Sequence, residues 1–149
     1  MKYILLTVAL FFHAQAYADS GLVKVLSQFS FDDTVKRVQS TIESKGMKVF
    51  SVIPHSESAK KIGNQQAPTQ LFIFGNPKVG SLLMQCSQSV AIDLPQKMLV
   101  TENEKQEVHI SYNSPQYLNQ RHEMKGCEKI IEKVSGVLNN IAKTAATNE

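Results

Sequence analysis

Leu71-Phe72-Ile73-Phe74 is the most constraining stretch of the chain. Successive side chains of an extended strand point to opposite faces, so four large apolar residues in a row ask for cover on both. The run is too short for a helix, and Gly75-Asn76-Pro77 stops it at once. It reads as a strand buried on both faces, near the centre of a sheet. Asn76 is a good N-cap and Pro77 a good first helical residue, so the same stop starts a helix. Val79, Leu82, Leu83 and Cys86 predict that helix's buried stripe.

The flanking sequence supplies the rest of such a sheet. Leu22 to Ser27 is short and rich in β-formers, which predicts a strand. Ser30 is placed as an N-cap, Asp32 and Asp33 suit the first helical turn, and Phe31, Val35, Val38 and Ile42 recur at helical spacing. Gly46 stops that helix. Met47 to Ile53 predicts a second strand, ended by Pro54. Residues 54–68 read as a polar loop with one helical turn. After the turn Asp93-Leu94-Pro95, Met98 to Thr101 and Val108 to Tyr112 flank Asn103-Glu104-Lys105 as a hairpin. Ser114-Pro115 begins a short helix through His122. Gly126 separates it from a last helix with Cys127, Ile130, Ile131, Val134, Leu138 and Ile141 on one stripe. Residues 144–149 are polar, and fraying is expected there. The predicted fold class is α+β: a single two-layer α/β domain in the order β-α-β-β-α-β-β-α-α, with helices packed on one sheet.

Residues 1–18 fall outside this pattern. Lys2, the apolar run Ile4 to Phe12 and Ala16-Tyr17-Ala18 give the three parts of a secretory signal peptide. Cleavage is expected before Asp19, leaving a single domain over residues 19–149 with its core at about 22–143. The expected location is periplasmic or secreted, with no membrane span after cleavage. In an oxidising compartment Cys86 and Cys127 are an even pair, which leaves two readings open: one disulfide, or two buried free thiols. Lys and Arg number 16 against 13 Asp and Glu, a net charge of +3 that gives no footing to nucleic-acid binding.

Several motifs fall in order along the chain. Phe74-Gly75-Asn76-Pro77-Lys78-Val79-Gly80 is followed by Leu83-Met84-Gln85, by Asp93-Leu94-Pro95, and by Tyr112-Asn113 with Pro115, Tyr117-Leu118 and Arg121-His122. Pro68-Thr69-Gln70-Leu71 and His55 fit the same pattern. The set resembles the bacterial domain-of-unknown-function 302 family, over about residues 25–142. The resemblance implies a compact two-layer α/β domain, often dimeric, and it supplies no activity. Cys86 and Cys127 stand outside the family pattern.

Chemistry is sparsely marked. Thr69, Gln70, Asn76, Lys78, Tyr112 and Asn113 sit at predicted strand ends or a helix start, where an open sheet presents polar groups to a ligand. They are expected to share one small polar pocket for an anionic or polar ligand. No cofactor or haem motif is present, and His55, His109 and His122 lack metal-ligand spacing. No Ser or Cys stands in a recognisable catalytic context. Three readings remain: a binding module for a small ligand or protein partner, an enzyme built on Gln70, Lys78, Tyr112 and Asn113, and a structural homodimer. The disulfide is directly testable. Thiol titration of denatured, unreduced protein is expected to find no reactive thiol, and two reactive thiols would remove the bridge.

Overall fold

The structure, a computed structural model, describes residues 20–148. The expected leader segment and Asp19 lie outside them. The elements run β1 (Leu22–Leu26), α1 (Phe31–Ser44), β2 (Lys48–Pro54), α2 (His55–Lys61), β3 (Thr69–Gly75) and α3 (Pro77–Cys86). A 3-10 helix (Gln88–Asp93), β4 (Gln96–Glu102), β5 (Val108–Asn113), α4 (Pro115–Arg121) and α5 (Glu128–Ala146) complete the chain. The predicted order holds, with α2 and the 3-10 helix added to it.

The strands form one antiparallel sheet in the order β1-β5-β4-β3-β2. β1 and β2 are therefore opposite edges, although only α1 separates them in the chain. That connection must cross the sheet, which lays α1 over the inner face, where it packs on β2, β3 and β4. α5 lies beside α1 and against β1 and β5. The helical layer covers one face only, and this corrects the reading of the β3 run. Phe72 and Phe74 on the inner face are fully buried, while Leu71 and Ile73 on the other face are half-buried. β3 is an interior strand next to the central β4, near the centre as expected.

The amphipathic patterns form largely as written. In α1, Ser30 Oγ accepts from the Asp33 N–H at 3.2 Å and its hydroxyl donates to the Asp33 carboxylate at 2.8 Å. Val38 and Ile42 enter the core. In α5 the stripe Ile131, Val134, Leu138 and Ile141 does the same. In α3 only Leu83 is buried; Leu82 is exposed, because the helix meets the domain along a narrow seam.

The expected fraying from residue 144 is also corrected. α5 continues to Ala146, and Ala145 and Ala146 are fully buried. Arg37, on α1, holds that end. Its guanidinium donates to Ala145 O and Thr144 O at 2.9 Å each and to Thr147 O, and it lies 4.0 Å over the Phe29 ring. A cation donating to the last carbonyls of a helix satisfies acceptors that have no intrahelical partner and complements the negative end of the dipole. These partners are more than a hundred residues from Arg37, so no local pattern announces them. Arg37→Met keeps the stem and removes the donors. It is expected to cost about 2 kcal/mol in urea unfolding, and an unchanged midpoint would refute the role.

Candidate functional site

A cleft of about 560 Å³ lies between the sheet end, α3 and α5. Four pieces of sequence build it. The α3 wall contributes Pro77, Val79, Gly80, Leu83 and Met84. α5 contributes Lys133, Val134, Val137 and Leu138. Ala91, Leu94, Pro95 and Gln96 form the floor beside Gly75 and Asn76, and Lys45, Met47 and Phe50 close the remaining side.

Local chain geometry explains why these groups meet. The β2–β3 register shifts between Val49 and Ser51, so Phe50 is an extra residue in its strand. A bulge of this kind re-aims a side chain, and the Phe50 ring comes to lie against Gly75, 3.8 Å from where a β-carbon would stand. Asn76 Oδ1 accepts from the Lys78 N–H at 3.0 Å and so starts α3 at the cleft edge. Gly80 keeps the α3 wall thin, since a β-carbon there would meet nothing closer than Leu94 Cδ1 at 4.0 Å. The volume lies within the range of small-molecule sites, which are mostly apolar with a few placed polar groups.

The six residues expected to share a polar pocket are spread over the sheet. Asn76 lines the cleft. Lys78 is exposed on the first turn of α3. Thr69 and Gln70 begin β3 and stand at its opposite end; the Thr69 N–H donates to Ser56 Oγ at 3.2 Å, and its hydroxyl donates to Ala67 O at 2.8 Å. Asn113 ends β5 on the outer face, paired with Leu22. Tyr112 turns inward, is buried, and lines a second, shallower cleft with Val23, Pro115 and Glu132. The grouping Gln70, Lys78, Tyr112 and Asn113 is thus not one pocket. Placement at a strand end or helix start does not say which end of a strand or which face a residue takes.

A second cluster joins two of the motifs, Asp93-Leu94-Pro95 and Arg121-His122, with Ser89. His122 Nε2 is 2.6 Å from Asp93 Oδ2, and His122 Nδ1 is 2.9 Å from Ser89 Oγ. The two ring nitrogens are thus each within hydrogen-bond reach of a different partner. Arg121 Nη1 stands 3.4 Å from the same carboxylate oxygen. Hydroxyl, imidazole and carboxylate in this order can activate a nucleophile where a substrate is seated beside the hydroxyl. Ser89 is not among the residues that line the cleft, and the contacts tie the 3-10 segment to His122. They fasten residues 89–93 to the end of α4. Cys86 and Cys127 are bonded in the same region, with Cα atoms 6.2 Å apart, and join the end of α3 to the start of α5. The 3-10 segment that supplies Ala91 and Leu94 to the cleft is therefore held from behind at two places. Partners 29 and 33 positions apart have no spacing signature that a sequence could show.

A one-sided α/β sandwich with an apolar, ligand-sized cleft is the class that fold and site define. The family model for the domain of unknown function DUF302 matches residues 23–141, and the chain belongs to that family. The crystal structure of the uncharacterized conserved protein DUF302 from Bacillus stearothermophilus shares the fold at a TM-score of 0.77. It is 16% identical and covers 85% of this chain and 99% of its own. Fluoride-specific ion channel FluC 1 of Brucella suis biovar 1 (strain 1330) is 42% identical over 106 residues, 71% of this chain and 42% of that protein. Fluoride-specific ion channel FluC 2 of Brucella melitensis biotype 1 matches equally over 39% of its length. The chain thus spans about two fifths of these relatives. Among the described residues no helix is long and apolar enough to cross a membrane.

Burial pushes the Tyr112 phenol above its ordinary 10.0. The folded protein then keeps this proton where the unfolded chain loses it, so Tyr112 favours folding below pH 10 and that contribution is lost as pH rises through the folded pKa. Tyr112→Phe is expected to flatten the fall in stability above pH 10. Parallel curves for the two proteins in alkaline urea titrations would contradict the assignment.

Proposed function

We propose that this domain is an exported binding module that takes a small, mainly apolar molecule into the cleft between α3 and α5. The carrying observation is the cleft itself: about 560 Å³, walled by Val79, Leu83, Met84, Leu94, Val134 and Val137, with Asn76 and Gln96 as its amide side chains. Apolar walls offer a ligand roughly 25 cal/mol for each Å² removed from water, and the few polar groups orient it. The leader-like residues 1–18 and the Cys86–Cys127 bond support a place outside the cytoplasm. The Brucella relatives are named for a fluoride channel, but more than half of their length has no counterpart here, so that name supplies no ligand for the domain.

Gly80 gives a clean test. A leucine there projects from the α3 wall into the cleft, and replacing glycine in a helix favours folding. The neutral fluorophore N-phenylnaphthylamine is expected to bind the native protein saturably with a rise in emission, and Gly80→Leu is expected to abolish it. Equal binding by the variant would place the probe elsewhere, and no binding by the native protein would end the proposal.

A further inference from the structure

We infer that the ligand of this cleft is an anionic amphiphile, an apolar body ending in a single negative charge, of which an alkyl carboxylate is the simplest case. The inference rests on the binding reading above and adds the charge. Two side chains of the lining are ionisable, Lys45 and Lys133, and both are cations. No aspartate or glutamate lines the cleft. Glu132, the neighbour of Lys133, lines the separate cleft beside Tyr112 instead.

Position makes the two lysines a pair of posts. Lys45 caps the end of α1, Lys133 is in the second turn of α5, and these helices pack side by side. Both residues are exposed, so their stems can lie along the apolar wall while the ammonium groups stay in water at its rim. Neither makes an ion pair among the described residues, where the salt bridges are Lys36 to Asp33 and Arg121 and His122 to Asp93. A third cation adds to the same field: Lys48 Nζ is 5.5 Å from the centre of the Phe50 ring, itself part of the lining. An apolar ligand with a negative end gains at both places. A neutral one gains only from the walls, and a cationic one meets like charge. The volume suits one compact apolar body of ordinary ligand size.

Displacement of N-phenylnaphthylamine from the purified protein separates this inference from the one it rests on. In low salt, decanoate is expected to displace the probe at about tenfold lower concentration than decanol, a difference of about 1.4 kcal/mol. Exposed charges are screened, so the preference should shrink as salt is raised. In a Lys45→Gln, Lys133→Gln double variant the two ligands should come within about threefold of each other, through loss of decanoate binding rather than gain of decanol binding. Equal displacement by decanol, an undiminished preference in the double variant, or displacement by decyltrimethylammonium as good as by decanoate would each overturn the charge assignment. Failure of the native protein to bind the fluorophore at all is a different result and removes the cleft.

Discussion

A five-stranded sheet with Phe72, Phe74, Met98, Val100 and Ile110 on one face has to cover that face, and α5 is the element that finishes the cover. Burying one such aromatic or aliphatic side chain is worth about 2 kcal/mol, so leaving this face open is not an option for a domain of ordinary stability. α1 crosses the sheet because it must join opposite edges, and α5 fills the space beside it. The cleft is the place where this layer stops short. α3 is too short and too shallowly seated to reach α5 along its whole length, and the gap between them stays open.

The floor of that gap is irregular chain, and irregular chain needs fastening. The Asp93–His122–Ser89 contacts and the Cys86–Cys127 bond both connect the stretch after α3 to the stretch before α5. Lys97 adds a third hold from the strand side, donating to Asp93 O at 2.9 Å and Pro95 O at 3.0 Å. A wall built this way is preorganised, and under the proposed binding role that limits the ordering cost a ligand must overcome.

Much of the fold was legible because its signals are local. Ser30 and Asn76 cap helices through side chains two or three positions away, and the stripe Ile131, Val134, Leu138 and Ile141 repeats at helical period. The faces of β3 were misread because an apolar residue does not report how much cover its own face receives; Leu71 and Ile73 are apolar on the less covered side. α2 was foreseen only as one helical turn, because its sequence, from His55 to Lys61, contributes no buried residue and so has no apolar period to read. At the site, only Asn76 of six expected residues lines the cleft. The rest of the lining consists of ordinary apolar residues whose gathering depends on the bulge at Phe50, the absence of a side chain at Gly80 and the long-range ties behind the 3-10 helix.

The pairing of the first strand with the fifth sets an order on how the domain can come into being. β1 joins the sheet only through β5, and its exposed Leu22 and Leu26 have no neighbour strand until Val108–Asn113 exists. The inner face of β5, with Val108, Ile110 and Tyr112, waits in the same way for α5, which packs on it. A chain emerging from its N-terminus therefore holds this apolar surface unsheltered until Glu128–Ala146 is made, because contacts between distant segments need both partners present. The two cysteines, 41 positions apart in sequence, belong to the same set of long-range contacts.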